Sequence, residues 1–128
     1  MNYIITSILS IFLILNSILS IPFNEIETAF SKGDAAKIVS LGTTKMLISI
    51  EGIEGVYSKS QGAQVLNGFF KNNPPRSFTF SFKGKEKSTS SFAVGEYQSN
   101  NKKYRVSIKF KKIQDHHEIE SLIIASSQ

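Results

Sequence analysis

The sequence contains no cysteine among its 128 residues. That absence excludes disulfide bonds, thiolate catalysis, cysteine-ligated zinc and a lipid-modified cysteine behind a leader. A domain without these supports depends on hydrophobic packing alone, and its ten phenylalanines supply much of the apolar surface that such packing needs.

Charge is absent from the start of the chain, because residues 1–21 contain no Lys, Arg, Asp or Glu. This apolar run is typical of a signal peptide, with the small Ser20 available for cleavage before Ile21. Its length is also about the 20 residues that a membrane-spanning helix needs, so an uncleaved N-terminal anchor stays open. We therefore expect an exported protein, periplasmic, extracellular or tethered to the inner membrane, with a single domain at residues 22–128.

The net charge of +5 is carried entirely by the part of the chain behind the leader. A basic domain favours anionic partners such as phospholipid headgroups, acidic polysaccharide or acidic proteins. Nucleic acid is disfavoured as a partner, because no nucleic-acid-binding motif is present. The sequence also shows no phosphate-binding loop and no nucleophile elbow, and it predicts no cofactor.

Helix signals occupy the first part of the domain. Residues 24–27 predict a capping box that opens a short helix, and Gly33 ends that helix before Asp34 opens a second one. Residues 58–61 predict another capping box, which opens a longer helix. The pair Pro74 and Pro75 ends this helix, because proline lacks the amide hydrogen that the helix requires.

After Pro75 the apolar spacing changes from a helical period to a period of two, which predicts strands. The pattern covers residues 78–82, 92–94, 104–110 and 119–125. Residues 46–50 predict a further strand ahead of the long helix. Strands at hairpin spacing predict an antiparallel meander with one wet face, and the helices would cover the other face. The predicted fold is α+β, with about three N-terminal helices on an antiparallel sheet of four to five strands.

Several short segments of the domain occur together in one known family. They are Gly33-Asp34-Ala35, Gly55-Val56-Tyr57-Ser58-Lys59, residues 69–75 with Phe78, Ala93-Val94-Gly95 and Tyr104-Arg105-Val106. On these segments the chain resembles a family of small exported bacterial proteins known only as a domain of unknown function. Its element order is similar to that of the wider nuclear-transport-factor-2-like superfamily of cystatin-like α+β folds.

The resemblance implies a curved sheet wrapped around helices, with a cone-shaped cavity between them. The superfamily contains enzymes, such as ketosteroid isomerase and scytalone dehydratase, as well as plain binding modules, so it implies no particular activity. Homodimers through the open sheet face are common in the superfamily. Basic side chains on that face, however, predict that it is wet here.

The resemblance also implies a pocket lined by apolar side chains from the helices and strands. The candidates are Phe30, Phe69, Phe78, Phe80, Val94 and Val106. Because residues two apart on a strand share a face, Glu96 is expected to point the same way as Val94. Its carboxylate, with Tyr97 or Tyr57, would be a candidate general base in the cone. The alternative is an ion pair between Glu96 and a basic residue across the hairpin.

Basic side chains concentrate on the predicted hairpins. Four of them are expected to form a basic face: Lys83, Arg105, Lys109 and Lys111. They predict either a surface for anionic envelope components or a charged sheet that resists aggregation. Glu118 and Glu120 are expected to pair with them across strands. His116 and His117 are expected in a solvated turn, and no metal site is predicted.

The leading interpretation is a non-catalytic exported binding or interaction module, holding a small apolar ligand in the cone or binding an envelope protein or surface. One alternative is an isomerase- or dehydratase-like enzyme that uses a carboxylate and a tyrosine in the cone. A second alternative is adhesion of the Lys-rich sheet face to anionic envelope components.

Overall fold

The computed structural model describes residues 21–86 and 88–127, so nearly all of the predicted leader lies outside the described residues. The described chain forms three helices and six strands. They are α1 (Phe23–Lys32), α2 (Ala35–Ser40), β1 (Gly42–Ile50), β2 (Ile53–Ser58), α3 (Lys59–Asn72), β3 (Pro75–Lys83), β4 (Ser90–Ser99), β5 (Lys102–Ile113) and β6 (His116–Ser127). The strands form one sheet in the order β2-β1-β6-β5-β4-β3. No helix within these residues is long and apolar enough to span a membrane.

The start of α1 differs from the prediction. The helix begins at Phe23 directly after Pro22, and no side chain caps it. Asn24 therefore lies inside the first turn, where its side chain does not occupy the capping position, and the predicted capping box is wrong. Gly33 ends the helix as predicted, with a φ of 66° in the left-handed region that glycine adopts readily.

The starts of α2 and α3 are confirmed. The Asp34 carboxylate accepts a hydrogen bond from the Lys37 amide at 3.1 Å. Ser58 and Gln61 form a reciprocal capping box at the start of α3. The last helical residue of α3, Asn72, precedes the double proline, as its missing amide hydrogens require.

β1 and β2 form a hairpin that accounts for the higher strand count. Glu51 and Gly52 make its two-residue turn with φ values of 52° and 83°, the signs of a type I′ turn. β1 also pairs in parallel with β6, so the sheet is mixed rather than antiparallel throughout. The predicted four to five strands are therefore six. The sequence of β2 shows no apolar alternation because this edge strand buries little on either face.

β3 to β6 form the predicted antiparallel meander. The register shifts between Phe80 and Phe82 on β3, and again where Lys109 and Phe110 face β6. A bulge of this kind adds one residue to one strand and turns the following side chains to the opposite face. The bulge on β3 decides where two of the predicted site residues lie.

The core lies between the helices and one surface of the sheet, which we call the inner face; the opposite surface is the outer face. The largest fully buried side chains include Phe30, Tyr97 and Phe110. Ile21, which the sequence analysis assigns to the leader, is 3% exposed and packs with this core. Ile21 therefore belongs to the packed domain, one residue ahead of the predicted boundary at residue 22.

Candidate functional site

Most of the side chains expected to line a cone fill it instead. Phe30, Phe69, Phe78 and Val106 are each at most 5% exposed. The rings of Phe30 and Phe78 stack with centroids 4.7 Å apart, and partly buried Phe80 packs edge-on against Phe78 at 5.1 Å. These five residues are brought together as packed core, in which aromatic pairs contribute through direct contact.

Val94 is the exception among the predicted pocket residues. It lies on the outer face with Phe92 and Glu96, whereas Ala93 and Tyr97 are fully buried on the inner face. The prediction that Val94 and Glu96 point to the same face is therefore correct, but the prediction that this is the inner face is wrong. The small residue Gly95 explains the choice of face, because a Cβ there would lie 2.3 Å from the Phe78 ring.

Two tyrosines inside the core hold the segment that follows α3. The Tyr97 hydroxyl donates to the Asn73 carbonyl, and the Tyr104 hydroxyl donates to the Asn73 side-chain oxygen at 2.8 Å. The side-chain nitrogen of Asn73 donates in turn to the Phe69 carbonyl at 3.1 Å. This network fixes the turn from helix to sheet.

Burial, followed by the nearby Tyr104, raises the pKa of Tyr97 well above its usual range. Burial and then the Glu51 carboxylate raise the pKa of Tyr104. Both hydroxyls therefore stay protonated at neutral pH and serve as hydrogen-bond donors.

The predicted carboxylate and tyrosine candidates do not converge. Glu96 lies on the outer face with its side chain 52% exposed, and it pairs with Lys103 at 3.8 Å. Tyr97 belongs to the inner face of the same strand, and Tyr57 is partly buried against the core on β2, at the far edge of the sheet. The prediction of Glu96 inside the cone is wrong, because the strand turns its small residues inward. The alternative of an ion pair across the hairpin is confirmed.

The outer face carries a pair of exposed aromatic side chains. Phe82 is 47% exposed and Phe92 is 54% exposed, and their rings stack with centroids 5.0 Å apart. Phe82 reaches this face because the bulge at Ser81 reverses the parity that Phe78 and Phe80 establish. Side chains of this size that are half exposed and adjacent are candidates for an interaction surface.

The register of the sheet extends this apolar feature across four strands. One row runs from Phe82 through Val94 and Ser107 to Ile123, which is 45% exposed. Phe92 stands between two open recesses of about 350 and 340 Å³. Small side chains form part of the lining of the second recess: Ser90, Ser107 and Ser121. The outer face therefore has an aromatic ridge with a shallow recess on each side.

Charges of both signs surround this ridge. Arg105, Lys109 and Lys111 lie on the outer face as predicted, and Lys109 pairs with Glu120 at 3.8 Å. Glu118 stands opposite Lys111 in the register. Lys83 does not join them: its ammonium lies 5.3 Å from the Phe23 ring, beside α1. Because Phe82 turns outward, the following Lys83 turns to the other side, and the predicted four-residue basic face is wrong at that position.

The two histidines divide between different surroundings. The turn consists of Gln114 and Asp115, and β6 begins at His116, whose ring lies 2.8 Å from Glu118. His117 is only 4% exposed and its Nε2 lies 3.1 Å from the Ser88 carbonyl, so the predicted solvated turn is wrong for this residue. Among the described residues no three metal-ligating side chains come together.

The outer aromatic pair is the feature that sequence reasoning missed. Its signal was present on β4, where Ala93 and Gly95 alternate with Phe92 and Val94. Small side chains are required where large rings from α1 and β3 pack against a strand, so small residues on β4 indicate its inner face. The sequence contains no comparable signal for the bulge that exposes Phe82.

The model of a family described as "Domain of unknown function (DUF4783)" matches residues 23–125. A DUF4783 family protein from Bacteroides ovatus is 24% identical with a TM-score of 0.79, over 86% of this chain and 98% of that chain. Among curated proteins, none matches this sequence.

More distant solved structures share the fold alone. A cystatin-like domain of unknown function from Nostoc punctiforme is 9% identical with a TM-score of 0.65, over 83% of this chain and 73% of that chain. A protein from Thiobacillus denitrificans described as a putative calcium/calmodulin-dependent protein kinase type II association domain is 6% identical with a TM-score of 0.66. That likeness covers 87% of this chain and 98% of that chain.

Proposed function

The chain belongs to the DUF4783 family of domains of unknown function, and we propose that it is an exported, non-catalytic interaction module that assembles with a second copy through its outer face. The observation that carries this proposal is the stacked pair Phe82 and Phe92, about half exposed on the outer face. The charge-free leader supports the exported setting.

The shape of the outer face favours a protein surface over a small molecule. Each recess beside Phe92 is open and has a volume of about 350 or 340 Å³, near the lower end of ligand pockets. Such a shallow recess covers only one side of a small ligand. An apolar side chain on a second protein surface, in contrast, would enter one recess while the ridge of Phe92 enters the partner's recess.

The charges favour a second copy over an anionic membrane or polysaccharide. Glu96 and Glu120 neutralise Lys103 and Lys109 on the same face, so little uniform positive potential remains there. A face with both signs can meet its own copy without net repulsion, provided that a two-fold axis brings opposite charges together. The description of the Thiobacillus denitrificans neighbour as a putative association domain is consistent with a role in assembly.

The test is sedimentation equilibrium of the protein purified from cells that express the full chain. We expect the wild type to associate and Phe92→Ser to weaken the outer-face contact by about a hundredfold or more, because each copy loses an aromatic ring that the contact would bury. Phe92→Tyr is the matched control, since it keeps the ring and is expected to dimerise within about threefold of the wild type. Equal association of the wild type and Phe92→Ser would contradict the proposal.

A further inference from the structure

Within the part of the chain that the structure describes, the two edges of the sheet differ in how strongly they are protected against the addition of a strand. β3 forms the first edge, and it carries Pro75, a bulge at Ser81 and the packing of α1. Proline, bulges and covering elements are the devices by which proteins block the addition of another strand. β2 forms the second edge; between Ile53 and Ser58 it contains no proline and its pairing with β1 shows no bulge, while α3 packs against it.

The side chains of β2 are also unusually exposed. Ile53 is 76% exposed and Val56 is 63% exposed, the highest values among the exposed large hydrophobic residues in the described part of the chain. Tyr57 lies over Gly55, where a Cβ would come within 2.6 Å of the tyrosine hydroxyl. The middle of the edge is therefore kept flat by a glycine that the neighbouring ring requires.

The turn geometry identifies which backbone groups of β2 point outward. In a two-residue hairpin the flanking pair, here Ile50 and Ile53, exchanges hydrogen bonds, and every second pair along the ladder does the same. The Glu51 amide donates to Ile124 on β6, which agrees with this alternation. The amide and carbonyl groups of Glu54 and Val56 therefore point away from β1, toward the free edge.

We propose that β2 pairs antiparallel with β2 of a second copy, with Gly55 opposite Gly55 on the two-fold axis. In this register Glu54 of each copy faces Val56 of the other, so the four outward-pointing groups of one copy meet the same four of its partner. All eight groups are then used in four hydrogen bonds. The two six-stranded sheets join into one, and the outer faces of both copies lie on the same side.

The same register is complementary in side chains. Ile53 of one copy lies beside Tyr57 of the other, an aliphatic and aromatic cross-strand pair of the kind that stabilises sheets. Because the β3 edge is covered, strand addition stops at two copies instead of forming a fibre.

This contact uses a different surface from the outer-face contact proposed above, so the two can be separated. Val56→Pro removes only the outward-pointing amide hydrogen and leaves the ladder to β1 intact. We expect it to weaken the edge contact at least about tenfold, because two of the four hydrogen bonds are lost across the pair. Val56→Thr keeps the amide and the branched shape, and it is expected to change association less than about twofold.

Sedimentation equilibrium of the full protein, its Val56 variants and Phe92→Ser separates the outcomes. If both contacts form, the wild type is larger than a dimer and each of Val56→Pro and Phe92→Ser reduces it to a dimer. If only the edge contact forms, Val56→Pro is monomeric and Phe92→Ser stays dimeric. An unchanged association of Val56→Pro would overturn the edge contact and leave the outer-face proposal untouched.

Amide hydrogen exchange provides a second measurement that needs no substitution. If the edge contact forms, the amides of Glu54 and Val56 exchange more slowly as the protein concentration rises, while the amide of Gln64, an exposed residue of α3, does not change. Concentration-independent exchange at Glu54 and Val56 would overturn the proposal.

Discussion

The two faces of the sheet carry the same kind of aromatic residue in opposite surroundings. On the inner face, Phe30 and Phe78 stack and are at most 2% exposed. On the outer face, Phe82 and Phe92 stack at a similar distance but are about half exposed. Burial of a ring contributes to folding only in proportion to the surface removed from water, so the first pair holds the fold and the second leaves apolar surface free for a partner.

The difference arises from small changes in backbone register. Gly95 and Ala93 make room on the inner face for the Phe78 ring, and the bulge at Ser81 turns the next residue, Phe82, outward. From the sequence of β3 alone, Phe78, Phe80 and Phe82 are all expected to point to the same face. Only pairing with β4 distinguishes the ring that stabilises the core from the ring that stays exposed.

The largest expected effect is on the inner face. Phe30→Ala should lower the free energy of unfolding by about 3 to 5 kcal/mol, because it leaves a cavity beside the Phe78 ring. Phe92→Ala should change it by less than about 1 kcal/mol, since the ring is already half in water. Urea unfolding at a protein concentration where the chain is monomeric measures both values. Similar decreases in the free energy of unfolding for the two variants would contradict the difference in packing between the inner and outer faces.

Phe30→Ala has a milder companion in case it does not fold. Ile108→Val removes one methyl group from a side chain that is 1% exposed, and it is expected to cost about 0.5 to 1.5 kcal/mol. A cost near zero would show that the inner face is less tightly packed than the structure indicates.

A smaller effect on stability is expected from removing a hydroxyl of the buried tyrosines. Tyr97→Phe removes the hydrogen bond to the Asn73 carbonyl, and we expect a loss of about 1 to 3 kcal/mol because that buried acceptor is left unpaired. Tyr57→Phe is the matched control on the same face and should cost less than about 1 kcal/mol, since Tyr57 is partly exposed. The free energy of unfolding at pH 7 measures both.

The raised pKa of Tyr97 also fixes the direction of a pH dependence. The tyrosine of the unfolded chain ionises near its ordinary pKa of about 10, whereas the folded residue keeps its proton to higher pH. The stabilisation is therefore complete below about pH 10 and is lost as the pH rises above that value. Tyr97→Phe should show a shallower loss of stability between about pH 9.5 and 11 than the wild type. Identical slopes would contradict the burial of this hydroxyl.

Much of the fold follows from local signals in the sequence. Ser58 with Gln61, Asp34, Gly33 and the double proline place helix boundaries correctly, since each acts through hydrogen bonds within a few residues. The period of two after Pro75 identifies the meander. The edge strand β2 carries no such pattern, because a strand with little burial on either face needs no alternation.

The candidate site was harder to predict because it depends on which face turns inward. The alternation on β4 correctly predicts that Glu96 and Val94 share a face, but not which face it is. On β3, the bulge turns Phe82 and Lys83 to the faces opposite to those that strict alternation predicts. Parity is a local property of a strand, whereas the choice of face depends on the fit of Gly95 under a ring from another strand. His117 was missed for a related reason: its burial depends on a contact with Ser88, 29 residues away.

The absence of cysteine permits the most direct test of the claim that the outer face meets a second copy. Single cysteines at Val94, Ser107 and Ile123 lie along one row of that face, and the control is a cysteine at Thr28, an exposed residue of α1. A disulfide forms between copies only where two Cα atoms come within about 7 Å. We predict that under mild oxidation at least one outer-face cysteine forms a linked dimer much faster than Thr28→Cys, and that adding Phe92→Ser slows this reaction. Linkage at all three outer-face positions no faster than at Thr28 would contradict the account.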